Sequence, residues 1–562
     1  MDKIKIMALG GLDEDGKDLY VIEINNDIFV FCAGFKYPTK LTPGIDFIIA
    51  DFSYLKENKE RIKAYILPKN KKNSFGALPY IFKECPAPIY SCKLTQLLFE
   101  NFARTYQQDC NFDFRNITLP STITIAGRKF TFFSTCASMP LTFGFSVETS
   151  LGNIVYSGDF IVEYSNERFF TLDLNTLGKI AEVPTIALLS ESVNADKKGY
   201  CSPNHRLLPF FTKAFKEAPG RCFVALASDN LYHIDEFFRA CYDQKKKICF
   251  YDKNSLDIYN LRFYGGDQYY PKTEIVPLDD ILRIKEKDLV ILMTEEDDSI
   301  YDKISLLANQ ENESKQIRIN SNDTFVLGIS PTDNNEVIAT STIDELYKTG
   351  CNVLYVTKKT LAKMHAYEED LKMLLSLLKP KYYFPIEGYY VNQLQNAKMA
   401  FDMGIGLSHN NIFLLDNGQQ LCIDNNGASV NFNSDGKIIV GDVMIDGIGV
   451  GDVVNDIITD RTRLSDDGVV VLGSGVSKSL RKMVCGPDVQ MRGFLFLKDK
   501  EADLMIKAVT KMYIEDIQAW LETTKDFSIE QITGKITEKI TKYIFSITGR
   551  NPVIKPTLIV LD

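Results

Sequence analysis

From about residue 204 the chain changes rhythm, and that change constrains its fold more than any other feature. Residues 222–227 form an unbroken apolar run, 231–242 carry the spacing of an amphipathic helix, and 248–251 are apolar again. Runs at 289–293 and 324–329 continue the pattern toward residue 353. Strands apolar on both faces must be covered on both faces, so this alternation predicts a doubly wound parallel unit. Upstream the pattern differs. Short β-rich runs at 3–9, 19–24, 28–31, 63–67, 130–133, 143–148 and 153–156 alternate with turn signals, and helical spacing is confined to 77–85 and 94–106. That predicts a layered α+β domain with much antiparallel sheet.

Residues 424–436, rich in Asn, Asp, Gly and Ser, read as a connector. A last unit follows, with strands expected near 437–441, 468–472, 493–497 and 557–561 and helices near 501–521 and 528–544. Ser528 and Gln531 have capping-box spacing. Trp520 lies on the first of these helices, where it suits either an interface anchor or a core position. At 562 residues the chain exceeds a single compact core, and three or four folding units are expected.

Composition narrows the function classes. With 45% hydrophobic and 25% charged residues the chain is globular, neither disordered nor fibrous. Its net charge of -10 repels nucleic acid and anionic membranes, so RNA binding is expected only locally, in a groove, and DNA binding not at all. Twelve cysteines are scattered singly from Cys32 to Cys485 without metal-ligand spacing, which suits a reducing compartment. The start is broken by charge, unlike a secretory signal, and no apolar run reaches the roughly 18 residues of a membrane span. A cytoplasmic protein is expected. Only four histidines exist, His205, His233, His365 and His409, which leaves little material for a multi-histidine metal site.

The segment from Gly11 to Asp18 nearly matches a P-loop. Three carboxylates would crowd the phosphate, Asp18 replaces the hydroxyl, and a strand follows where a helix N-terminus is required. A hairpin turn is expected there. Gly473-Ser474-Gly475-Val476-Ser477 has the wrong spacing for a nucleophile elbow.

Several segments, in order along the whole chain, resemble ribonuclease J. They include Ile6-Met7-Ala8-Leu9-Gly10-Gly11-Leu12, Asp51-Phe52-Ser53-Tyr54-Leu55, Gly76-Ala77-Leu78-Pro79-Tyr80, Ser157-Gly158-Asp159-Phe160 and Leu188-Leu189-Ser190-Glu191-Ser192. Asp446-Gly447-Ile448-Gly449-Val450-Gly451-Asp452 and Gly486-Pro487-Asp488 continue the likeness. The resemblance implies an α/β protein: a metallo-β-lactamase αββα sandwich (1–204 and 354–424) with an inserted doubly wound β-CASP domain (205–353). A linker (425–448) and a small α/β C-terminal association domain (449–562) would follow. It implies a cytoplasmic exoribonuclease or endoribonuclease of mRNA decay and rRNA processing, dimeric or tetrameric, with two Zn²⁺ ions.

The metal signatures depart from the family pattern. Where H-x-H-x-D-H is expected stand Lys69, Lys71, Asn73 and Ser74, and the histidine of the third motif is Ala137. Asp159 survives, the last ligand is Glu387 instead of histidine, and Cys32 stands where an aspartate is frequent. A lysine ammonium has no lone pair to give, so no catalytic residue, no bound metal and no other cofactor are expected, and zinc enters only with an intact site. Asp159 and Glu387 then read as a turn aspartate and a surface glutamate, or as a carboxylate-only site for Mg²⁺ or Mn²⁺. Lys69, Lys71 and Lys72 read as a solvated loop, or as fixed positive charge holding an RNA phosphate.

The family's RNA contacts map onto Lys363, Met364, His365, Ala366 and Tyr367, and onto Ser228, Asp229 and Asn230. Met364 and Tyr367 are expected to fill the terminal-phosphate pocket, leaving His365 as a phosphate ligand or a packing residue. The expected function is an inactive or weakly active subunit pairing with an active ribonuclease J paralogue or with itself, on RNA and away from membranes. The alternatives are a nuclease with an altered divalent-metal site and a metal-free RNA-binding module.

Overall fold

The computed structural model describes residues 1–39, 42–108, 110–164, 169–261, 275–296, 299–312, 317–332, 335–430, 438, 440–447, 449–450, 455–493, 499–523 and 528–561. The chain divides into two compact units, one of residues 1–36 and 48–443 and one of residues 37–47 and 444–562.

Alternate residues of each strand build the inner core of the first unit. Ile4, Ile6 and Ala8, then Tyr20, Ile22 and Ile24, then Phe29 and Phe31 turn to one core. Phe130, Phe132, Phe143, Phe145, Ile154, Tyr156, Leu189 and Phe384 meet them from a second sheet. The first sheet runs in the order Gly427–Val430, Gln420–Asp424, Ile4–Gly10, Leu19–Ile24, Asp27–Phe31, Ile62–Leu67, Ile89–Ser91, Phe114–Asn116. The second runs Tyr382–Ile386, Thr185–Glu191, Gly152–Tyr156, Phe143–Thr149, Arg128–Ser134, Ser121–Ile125. Phe133, Val155, Leu188 and Tyr383 on the outer face of the second sheet pack against helices Leu174–Ile180, Glu368–Leu378 and Tyr390–Asp402. On the first sheet, Tyr65 and Glu23 bond to Cys85 and Tyr54, at the ends of Leu78–Glu84 and within Ser53–Glu57. The result is the expected αββα sandwich.

The inserted sheet has the order Lys247–Phe250, Leu289–Glu295, Cys222–Ala227, Thr324–Leu327, Asn352–Tyr355, and every pairing is parallel. Phe223, Ala225 and Ile291 face one helical layer and Val224, Leu226 and Val290 the other, as the apolar runs require. The second of these cores also takes in Leu94, Cys136, Met139, Ile161 and Phe170, so sandwich and insertion share one apolar cluster.

The near-miss P-loop is a turn between two antiparallel strands. Glu14 accepts from the Gly11 N–H at 3.0 Å and ion-pairs with Lys17 at 3.1 Å and Lys36 at 2.9 Å. The segment read as a connector begins inside the sheet, because Asp424 pairs with Gly427 in a hairpin along the sandwich edge. Most of the strand expected at 493–497, and residues 437 and 439 of that at 437–441, lie outside the described residues.

In the second unit, Lys482–Arg492, Val469–Ser477 and Val553–Val560 form a sheet covered by helices Asp499–Thr523 and Ile529–Thr548. Ile532, Ile536, Ile540 and Ile544, four residues apart, give the second helix its buried stripe. The Ser528 hydroxyl accepts from the Gln531 N–H, the N-cap half of the expected box. Trp520 is a core residue and not an exposed anchor.

Asp2 fastens the first strand to the second sheet. It takes two 2.8 Å bonds from Arg128, one from Asn25 at 2.7 Å and one from the Ser150 N–H at 2.8 Å. The Arg128 hydrogen bonds hold its carboxyl well below the usual carboxylate range. Asp2→Ala is expected to lower stability by about 2 kcal/mol near neutral pH. A carboxyl depressed on folding stabilises only above its unfolded pKa, so urea melts should show the gap closing as pH falls below about 4.

Candidate functional site

The candidate site is assembled from strand ends. Gly152–Tyr156, Thr185–Glu191 and Tyr382–Ile386 run parallel in the second sheet, and their carboxyl ends deliver Asp159, Glu191 and Glu387 to one edge. In the first sheet Asp27–Phe31 and Ile62–Leu67 are also parallel and end at Cys32 and near Lys69. Asp18 sits at the start of the antiparallel neighbour, beside Cys32. Side chains beyond the carboxyl ends of parallel strands are where such sheets build their sites. The backbone is shaped for it: Cys32 (φ 54°) and Glu387 (φ 62°) hold left-handed conformations that side chains rarely adopt. Gly158, at φ 67°, puts the chain so close to Phe143 O that a Cβ would sit 2.7 Å from it.

Lys69 lies at the centre, 5% exposed. Its Nζ is 2.7 Å from Asp159 Oδ1, 2.8 Å from Glu387 Oε2 and 3.5 Å from Asp18 Oδ2. The loop that carries it is fixed by the next residue, Asn70, whose side chain donates to Pro140 O and accepts from Thr95. Tyr156 donates to Glu387 Oε1 at 3.3 Å and Tyr20 to Asp18 Oδ1 at 3.4 Å.

The protonation states follow. Burial pulls the Lys69 pKa down, but Asp159, Glu387 and Asp18 outweigh it and hold the ammonium well above the usual lysine value. Burial opposes ionisation of Asp159 as well, yet Lys69 and His365 bring its carboxyl down to about 2. Glu387 goes the other way: burial, with repulsion from Asp159 and Asp18, pushes it well above the ordinary range against the pull of Lys69. Asp18 is raised by burial. The firm ion pair is therefore Lys69 with Asp159, and the remaining carboxyls take up protons most readily. Burial also raises the Cys32 thiol and the Tyr156 phenol, so neither supplies a ready nucleophile.

These facts correct the solvated-loop expectation. Lys69 is buried, and Asp159 and Glu387, 8% and 4% exposed, are neither turn filler nor surface. Three buried carboxylates at converging strand ends need a cation, and lysine provides one. Lys71 reaches Asp229 at 3.1 Å and Lys72 reaches Glu296 at 2.7 Å, so both carry carboxylate partners from the inserted sheet's loops. Asn73 and Ser74 bond to each other at 3.4 Å, and Ala137 is buried.

The residues matched to RNA contacts separate. Met364 and Ala366 are buried in apolar clusters, and Tyr367 packs beside the first of these while its N–H bonds Asp370 at 2.9 Å. Lys363 O accepts from Asn194 at 3.3 Å. His365 is more than a packing residue. Its Nδ1 lies 2.5 Å from Glu191 Oε2, and although burial lowers its pKa, Glu191 and Asp159 raise it above the usual value. Ser228 is buried, Asp229 holds Lys71, and the Asn230 side chain caps helix Leu231–Asp243 by accepting from the His233 N–H at 3.1 Å. Burial lowers His233 to about 4, and its Nε2 donates to His205 O at 2.8 Å.

Glu191, Asp18 and Asp370 are the organising acids that sequence patterns did not single out. Glu191 Oε1 accepts from the Phe160 and Ala366 N–H groups, and Asp370 accepts from Val162, Cys201 and Tyr367. Both fix the loops that carry Asp159 and His365. Asp159, Glu191 and His365 each offer a ligand atom, all within 4.8 Å of one another. A pair of zinc ions does not fit the residues present. Two ammonium groups, an amide, a hydroxyl and a methyl stand at the expected ligand positions, and Asp159 Oδ1 already faces Lys69.

Residues 456–561 match the family described as Ribonuclease J C-terminal domain. Ribonuclease J 2 of Staphylococcus aureus (strain MRSA252) is 29% identical over 555 residues, covering 99% of this chain and 98% of that protein. Ribonuclease J 2 of Staphylococcus epidermidis (strain ATCC 35984) is 29% identical over 558 residues with the same coverage. A solved structure of a protein of unknown function from Enterococcus faecalis V583 superposes with TM-score 0.52 at 13% identity, covering 75% of this chain and all of that one. That likeness concerns the fold.

The Glu191–His365 pair gives a pH signature. A histidine raised on folding stabilises fully below its unfolded pKa and loses that contribution as pH rises through the folded value. Glu191→Gln should lower the His365 pKa in an NMR titration and cost about 2 kcal/mol near pH 6, less near pH 9.

Proposed function

For this ribonuclease J-like chain, similar to ribonuclease J 2 along its whole length, we propose the role of a catalytically inactive or weakly active subunit in RNA processing and decay. It acts in the cytoplasm and pairs with an active ribonuclease J paralogue, or with itself, in mRNA decay and rRNA processing. One observation carries this reading: the Lys69 ammonium lies 2.7 Å from Asp159 and 2.8 Å from Glu387, where hydrolysis of a phosphodiester by a metal-bound hydroxide needs metal. The donor chemistry at Lys69, Asn73, Ser74 and Ala137 supports it. Among the described residues no helix is long and apolar enough to cross a membrane, which is compatible with that location.

RNA contact in this reading falls to the His365 imidazolium and to Lys71, both partly exposed at the edge of the site. Lys69 is too buried and too fully paired to hold a phosphate.

A second reading is favoured by the closeness of Asp159, Glu191 and His365: a nuclease that uses one hard divalent ion there together with substrate phosphates. The two readings separate on 5′-labelled RNA with Mg²⁺ or Mn²⁺. The parent and Asp159→Ala are expected to give the same background, and the protein to copurify with an active ribonuclease J when the two are co-expressed. Metal-dependent cleavage lost in Asp159→Ala would establish the second reading instead.

A further inference from the structure

We infer that the Lys69 ammonium is the resident cation of a carboxylate cage, holding together strand ends that a metal ion would otherwise hold. The same cage takes up a divalent cation once the lysine side chain is cut back. This deepens the non-catalytic reading and rests on it, because it gives Lys69 a structural task in place of a vanished catalytic one.

The cage spans the sandwich. Lys69 and Asp18 come from the first sheet, Asp159 and Glu387 from the second, and the ammonium lies 2.7 to 3.5 Å from all three carboxylates. All four side chains are largely buried, so water does little to relieve repulsion among the acids. The supporting bonds suit a charged centre: Tyr156 and Tyr20 each donate to a cage carboxylate. Such outer donors orient ligands around metal ions in the same manner. Cys32 and Glu387 keep left-handed backbone geometry at its rim, a cost the fold still bears with lysine at the centre.

Removing the ammonium without replacing it leaves the Asp159 carboxylate unpaired beside two further acids in a dry place. Removing it together with its four methylenes leaves room for an ion with its waters, and carboxylate oxygens suit a hard divalent cation. Glu387, already prone to protonation, releases its proton to solvent as it ligates such an ion.

The test uses the full chain and thermal melts. The parent should be indifferent to EDTA and to Mn²⁺. Lys69→Met, similar in length but uncharged, should melt about 3–5 °C lower near neutral pH. Lys69→Met/Asp159→Asn should recover much of the stability at neutral pH even if Lys69→Met alone scarcely folds. Lys69→Ala in EDTA should be destabilised, and Mn²⁺ should raise its melting temperature saturably, an effect lost in Lys69→Ala/Asp159→Asn. Calorimetry should find one Mn²⁺ site in Lys69→Ala and none in the parent. The inference is overturned if the Lys69 variants melt like the parent, if Asp159→Asn restores nothing in Lys69→Met, or if Mn²⁺ acts equally on parent and Lys69→Ala. Asp159-dependent RNA cleavage by the parent would instead sink the non-catalytic reading, whatever the melts show.

Discussion

A single buried ammonium holds the open end of the sandwich together. Lys69 faces carboxylates from strand ends of both sheets, and in a low-dielectric interior neither partner tolerates the loss of the other. Its pairing with Asp159 settles the protonation of the whole cluster. Asp159 is held ionised, while Glu387 and Asp18 are pushed toward their neutral forms. The surrounding thiol and phenols stay protonated for the same reason, burial without a spare cation.

Around this centre, other acids serve the backbone. Glu191 and Asp370 between them receive five main-chain N–H groups, fixing the approach to Asp159 and the turn that carries His365. The inserted sheet is tied in twice, by an apolar cluster continuous with the sandwich and by ion pairs from Lys71 and Lys72. The loop that carries Lys69, Lys71 and Lys72 is thus a structural joint.

The fold was largely legible in the sequence because it rests on periodicity. Short β-rich runs at residues 3–9 and 143–148 and unbroken apolar runs at 222–227 and 289–293 announce the strands directly. The hairpin at Asp424–Gly427 was masked by turn-forming residues that suit a connector equally well. The site was legible only in part. Resemblance located Asp159, Glu387 and Lys69, but charged residues near a turn look solvated in one dimension, and nothing in the local sequence shows that Lys69 folds inward. Glu191 ends an apolar strand with partners 31 and 175 residues away, and Asp370 shows in the local sequence only its cap bond to Tyr367, not Val162 208 residues away.

The cage also makes a metal centre hard to install one substitution at a time. Placing a histidine at position 69 removes the ammonium from Asp159 and Glu387, while Asn73, Ser74 and Ala137 still supply too few donors to fix a pair of zinc ions in its place. A path to a metal centre that begins at position 69 therefore passes through a less stable protein.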